Sequence, residues 1–148
     1  MSWYHLHPVA VHFPLALLPM GLVFEAASLF RPQKEWIRNA SAALLWLGTL
    51  AAWITVGMGL IAEETAPHVP AAWATLSDHE TLAWWAAGLF SCLSAVRIIY
   101  RERWTANPDG LRRAFVFLWL VSIAVLAAAG YHGGQLVFQF GMGVRSGG

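Results

Sequence analysis

The sequence predicts an all-α integral membrane protein, an up-down four-helix transmembrane bundle with both termini on the periplasmic or exterior side. Its 148 residues are 58% hydrophobic and 11% charged, whereas soluble domains carry about 25% charged residues. Four apolar stretches have the length of about 20 residues that crosses a bilayer. The connections between them are short, so neighbouring helices should run antiparallel within a single domain that covers residues 1–148.

The predicted spans cover residues 9–30, 40–62, 79–100 and 113–131. Pro8 suits the first helical position of the first span. Pro67 and Pro70 interrupt the second connection. Ser77 and Glu80 have the spacing of a capping box at the start of the third span. Glycines 133 and 134 open a short Gly-rich C-terminal segment, 132–148, where a glycine after the last helix is expected.

The basic residues indicate the orientation of the bundle. Eight of the nine flank the first and third connections, and only Arg145 lies on the other side. An excess of Lys and Arg marks the cytoplasmic side of a membrane protein. Both termini and the second connection should therefore face the periplasm or exterior. The eight are Arg31, Lys34, Arg38, Arg97, Arg101, Arg103, Arg112 and Arg113.

All six histidines are predicted at the opposite, outer face of the bundle. His5 and His68 fall in its exposed segments, and for these two a role in capping or headgroup contact is the simpler interpretation. His12, His79 and His132 should meet at similar depth, so His12 with His79 or His132 is the preferred ligand pair. His7 and His12 lie about 140° apart around an ideal helix, so one can face inward while the other caps. Imidazole near a membrane boundary can ligate haem iron, bind Zn, Cu or non-haem Fe, or move protons.

Glu25 is the ionisable residue within the first span, towards the basic face. Charged groups within a span are costly unless they are paired. We expect an ion pair with Arg97 or Arg101 of the third span, and a proton or quinone role is the alternative. Interior Trp residues indicate either a flat apolar cofactor or tightly packed helices, and packing is the simpler interpretation.

Two motifs resemble a known family. The run 7–14, His-Pro-Val-Ala-Val-His-Phe-Pro, resembles the opening signature of the bacterial four-helix membrane family called domain of unknown function 2231. His132-Gly-Gly-Gln-Leu-Val resembles its closing motif, although Phe138 and Phe140 stand where the family commonly has Tyr and a second His. The resemblance implies a multi-pass protein of the bacterial inner membrane. It also implies membrane partners of the cytochrome or Rieske type.

Three functions fit these features. The first is an electron-transfer subunit that holds a b-type haem near the periplasmic face through two of His7, His12, His79 and His132, and passes electrons between a periplasmic partner and quinone or another redox subunit. The second is a Zn, Cu or Fe site made by the same histidines without haem. The third is a non-catalytic structural subunit of a larger membrane complex. An independent enzyme is the weakest class, since the sequence has no Ser-His-Asp pattern, phosphate-binding Gly loop or Cys metal motif. A net charge of +1 argues against a nucleic-acid partner.

Overall fold

The computed structural model describes residues 6–65, 69–105 and 110–142. These residues form helices joined by short turns, with no strand among them. Four of its helical segments are long and apolar enough to cross a membrane, which confirms the predicted all-α fold. The elements are α1 (Leu6–Ala10), α2 (His12–Phe30), α3 (Glu35–Thr65), α4 (Trp73–Ile99) and α5 (Gly110–Phe138), with 3-10 turns at Pro70–Ala72 and Arg101–Thr105.

The first span consists of α1 and α2, which are separated by a slight irregularity at Val11. Pro14 has no N–H, so the carbonyl of Ala10 lacks its helical hydrogen bond at this point. The chain still continues in the same direction, because Val11 N–H donates to the carbonyl of His7 (3.1 Å) and Leu15 N–H donates to the carbonyl of Val11 (3.3 Å).

Several predicted helix ends differ from those in the structure. Helix α1 already includes Leu6, so Pro8 is not its first residue, and α3 begins at Glu35 and α5 at Gly110, ahead of the predicted span starts. Helix α4 begins at Trp73, so Ser77 and Glu80 lie inside the helix and do not cap it. The proline-led turn Pro70–Ala72 starts the helix earlier, because proline is already set for a first helical turn. Helix α5 continues past Gly133 to Phe138, and the chain turns at Gly141, whose φ of 67° lies in the left-handed region. The expected C-terminal glycine is therefore present but lies eight residues further along.

The bundle is built from two helical hairpins. Helix α2 packs extensively on α3, and α4 packs extensively on α5, whereas the contacts of α3 with α4 and of α2 with α5 are less extensive. This arrangement places α2 and α4 at opposite corners of the bundle. The fully buried side chains that hold the hairpins together include Leu18, Leu45, Phe90 and Trp119.

The outer surface of the bundle is apolar. Large hydrophobic side chains such as Val23, Leu50, Phe117 and Leu120 are more than half exposed along the helices. A soluble monomer rarely exposes apolar surface on this scale, so these faces are suited to lipid. The protein is a membrane protein whose four spans lie in the bilayer.

Candidate functional site

The imidazoles of His7 and His79 face each other at one end of the bundle, which we call the histidine end. His7 lies in α1 and His79 in α4, so the two rings come from opposite corners. Their centroids are 6.1 Å apart and the ring planes are nearly perpendicular, at 82°. Both side chains are half-buried. The structure thus joins two of the four predicted site histidines.

Each imidazole is fixed by a main-chain carbonyl of its own hairpin. His7 Nδ1 lies 3.1 Å from the carbonyl oxygen of Thr55, and His79 Nδ1 lies 2.8 Å from that of Ala129. A carbonyl oxygen only accepts hydrogen bonds, so both Nδ1 atoms must carry the proton. In the neutral imidazole the lone pair then lies on Nε2. This is the arrangement of metal-ligating histidines, whose second nitrogen is held by a carbonyl or carboxylate.

A glycine lies against each imidazole one turn beyond that carbonyl. A Cβ at Gly59 would be 3.2 Å from Cε1 of His7, and a Cβ at Gly133 would be 3.0 Å from Cε1 of His79. Both distances are tighter than ordinary van der Waals contact. The two glycines therefore provide the room in which the rings sit.

The two hairpins build the site in the same way. His7 and Thr55 are 48 residues apart, and His79 and Ala129 are 50 apart. Glu25 and Arg97 each follow the histidine of their hairpin by 18 residues, and Arg38 and Arg112 each precede the carbonyl residue by 17. The core positions agree too, since Leu18 and Phe90 both lie 11 residues after the histidine and are fully buried. The equivalence is one of position and not of residue type, and the sequence shows no long internal repeat.

The space beside the imidazole pair is small and mostly apolar. A cavity of about 60 Å³ is lined by both histidines and by residues from all four spans. Two further cavities of about 50 Å³ and 100 Å³ adjoin the pair or His7 alone. The apolar lining includes Val11, Pro14, Ala52, Val56, Ala83 and Leu126.

The other histidines take different positions. His12 is exposed, and its Nδ1 lies 2.8 Å from the carbonyl of Pro8 in its own turn, so the structure does not bring it to His79. His132 is close enough to His79 for an electrostatic interaction, and its Nδ1 is buried without a hydrogen-bond partner among the described residues. His5 and His68 lie outside the described residues. Within the part of the chain that the structure describes, no group of three metal-ligating side chains is formed.

Glu25 lies at the opposite end, which we call the arginine end, and is fully buried. Its carboxylate accepts hydrogen bonds from Ser41 Oγ (2.8 Å) and Trp104 Nε1 (2.7 Å), and lies 3.5 Å from a guanidinium nitrogen of Arg112. The predicted ion pair is present, but the expected partner was wrong, since Arg112 of the fourth span contacts the carboxylate.

Arg97 points elsewhere. It donates to the carbonyl of Arg38 (3.2 Å) and lies over the ring of Trp104 at 4.7 Å. Arg101, the other expected partner, pairs at the surface with Glu102.

The chain matches a known protein family over almost its whole length. A family model described as a predicted membrane protein, DUF2231, matches residues 4–146. The chain belongs to the DUF2231 family. Comparisons with curated proteins and with solved structures give no match.

Sequence reasoning missed several residues that shape the site in this DUF2231 protein. Thr55 and Ala129 contribute main-chain carbonyls, which no side-chain motif reveals. Gly133 was predicted only as a helix end, and a glycine within a span, such as Gly59, gives no sign in the sequence that a histidine packs against it. One signal in the sequence could have pointed to these residues. In each hairpin a charged residue follows the histidine by 18 positions, which indicates that the two hairpins are built alike.

Proposed function

We propose that this DUF2231 protein is a membrane electron-transfer subunit that binds a b-type haem at its histidine end, where His7 and His79 would hold the iron. The observation that carries the proposal is the facing imidazole pair, in which a carbonyl holds each Nδ1 proton, so that the lone pair of each neutral ring lies on Nε2. When bound, such a haem supplies a one-electron carrier.

The number of ligands favours haem over a bare metal ion. A porphyrin itself supplies four of the iron ligands, so two imidazoles would complete the set, whereas zinc sites use three or four protein ligands. The described residues bring two imidazoles together and form no group of three metal-ligating side chains. The apolar side chains around the pair suit the faces of a porphyrin.

The available space sets a condition on this proposal. Pockets for ligands of porphyrin size occupy about 300–1,000 Å³, and the cavity at the pair holds about 60 Å³. Binding therefore requires the hairpins to move apart at the histidine end. The contacts between the hairpins are less extensive than those within them, so we expect any opening to occur at this interface.

A second candidate is a site for Zn, Cu or non-haem Fe. The small cavity and the nearness of His132 to His79 favour it, because a metal ion needs little room and His132 would add a third imidazole. In either case we infer that the histidine end faces the periplasm of a bacterial inner membrane. The partners would be a periplasmic redox protein and quinone or a cytochrome or Rieske subunit.

The test is an absorption spectrum of the purified protein, recorded oxidised and reduced, together with metal analysis. We expect a Soret band, reduced b-type bands and about one haem per chain. His7→Gln and His79→Gln should each lose the haem, because one iron ligand is removed. His12→Gln is the matched control and should keep it, because His12 is exposed and bonded within its own turn.

Two other outcomes are distinct. A stoichiometric metal without a Soret band, lost in His132→Gln as well as in His79→Gln, would replace haem by the metal site. A clean protein with neither would overturn both proposals and leave the structural-subunit function.

A further inference from the structure

A second cavity, with charged side chains in its lining, lies at the arginine end, between α3 and α4. It holds about 380 Å³ and is therefore several times larger than the cavity at the histidine pair. Three guanidinium groups line it, those of Arg38, Arg97 and Arg101, against a single carboxylate, that of Glu35. The excess positive charge makes the cavity attractive to an anion.

Arg97 is the residue that most needs a counter-ion. It is only 7% exposed, and its Nε is buried with no hydrogen-bond partner among the described residues. Within the described part of the chain, no carboxylate lies within salt-bridge distance of Arg97. Arg97 contacts the carbonyl of Arg38 and the ring of Trp104, and Glu25 interacts with it only from beyond salt-bridge distance, so much of this buried charge is not compensated.

The neighbouring acids are already engaged. Glu25 pairs with Arg112 at 3.5 Å. Glu35 lies 3.8 Å from Arg38 but is 82% exposed, so it compensates little of the buried charge. Three buried arginines, Arg38, Arg97 and Arg112, thus share one buried carboxylate. The carboxylates at the cavity are the exposed ones of Glu35, which lies near Arg38, and of Glu102, which pairs with Arg101 at the surface.

The rest of the lining shows what kind of anion fits. Trp46 and Ile98 border the cavity and are 45% and 57% exposed on the apolar outer surface of the bundle. A small inorganic anion would gain nothing from these side chains. A phospholipid has a phosphate for the guanidinium groups and an acyl chain for the apolar wall. Basic pockets between transmembrane helices are suited to such headgroups.

We propose that the α3–α4 cavity binds an anionic phospholipid, with its phosphodiester at Arg97 and Arg101 and an acyl chain along Trp46 and Ile98. This site is at the other end of the bundle from the histidines and does not depend on haem binding.

The test is native mass spectrometry of the full chain in detergent, titrated with phosphatidylglycerol, with phosphatidylcholine and with inorganic phosphate. We expect one saturable phosphatidylglycerol per chain and weaker phosphatidylcholine binding. Arg101→Gln, at the exposed rim, should weaken phosphatidylglycerol binding about fivefold, which is the effect of one arginine near an anionic lipid. Arg113→Gln is the matched control, since it removes the same charge from an exposed residue outside the cavity, and it should leave binding unchanged.

Arg97→Gln should weaken lipid binding more than Arg101→Gln does. If the Arg97→Gln protein does not fold, the comparison of Arg101→Gln with Arg113→Gln decides the test. Trp46→Ala should weaken binding of the lipid without affecting that of phosphate. Equal weakening by Arg101→Gln and Arg113→Gln would show unspecific attraction and overturn the site. Equal binding of phosphatidylglycerol and phosphatidylcholine would overturn the lipid assignment. The same holds if inorganic phosphate displaces phosphatidylglycerol equally well from the wild type and from Trp46→Ala.

Discussion

At the scale of single residues, the position of the His79 imidazole depends on the absence of a side chain at Gly133. In Gly133→Ala the new Cβ would lie 3.0 Å from Cε1 of His79. The ring must shift and weaken its hydrogen bond to Ala129, at a cost of about 1 kcal/mol. We expect a lower melting temperature in detergent than for Gly134→Ala. That control lies in the same turn of α5 but would contact nothing within 4 Å.

Gly133→Ala and Gly134→Ala should change the stability of the protein in different directions. Alanine favours a helix over glycine by up to about 1 kcal/mol, so Gly134→Ala should be neutral or stabilising. If Gly133→Ala were as stable as Gly134→Ala, the ring of His79 would not be held between carbonyl and glycine as described.

The sequence could place these residues at one end of the bundle but could not orient them. It predicted that His7 and His12 point in different directions, and the structure agrees, since His7 meets His79 while His12 is exposed. It could not tell which of the two faces inward, because both the interior and the lipid face of a transmembrane helix are apolar. The partner of Glu25 was missed for a related reason. Three arginines lie near the same depth, and only packing selects Arg112.

At the scale of elements, the packing of α2 on α3 depends on Gly48. A Cβ at Gly48 would lie 2.6 Å from Cγ of Leu18, which is fully buried. We expect Gly48→Ala to destabilise the protein by about 1–3 kcal/mol, the usual cost of overpacking a core. Gly57→Ala in the same helix is the control, since its Cβ would meet nothing within 4 Å. Thermal unfolding in detergent compares them, and equal stability of the two variants would contradict the close α2–α3 contact.

The sequence predicted the existence of the four long helices better than their ends. Length and apolar composition identify a span whatever its neighbours are, and all four spans are present. Ends depend on competing local signals. The turn that begins at Pro70 leads into α4 ahead of the predicted capping box at Ser77. Gly133 remains helical because α5 continues to pack on the bundle through the buried Leu136. A glycine permits a helix to end but does not require it.

At the scale of the whole molecule, the two hairpins supply equivalent groups to both ends of the bundle. Each contributes one imidazole to the histidine end. At the arginine end the equivalent positions hold Glu25 in one hairpin and Arg97 in the other, so only the first hairpin brings a buried carboxylate to this pair of positions. The symmetric end is therefore suited to hold a group between two like ligands. The asymmetric end is left with excess positive charge.

This charge asymmetry also predicts how the protein lies in the membrane. Arginines and lysines resist transfer across the bilayer, so the arginine end should stay in the cytoplasm and the histidine end should reach the periplasm. In a Cys92→Ser background, an impermeant maleimide applied to intact cells should label Thr65→Cys, at the histidine end of α3. Gln33→Cys lies between α2 and α3, at the other end of the bundle. The reagent should label it only after the membrane has been permeabilised. Both substitutions leave every charged residue in place, so neither alters the signal under test. Labelling of Gln33→Cys in intact cells would reverse the orientation and would place the imidazole pair on the cytoplasmic side, beyond the reach of a periplasmic electron carrier.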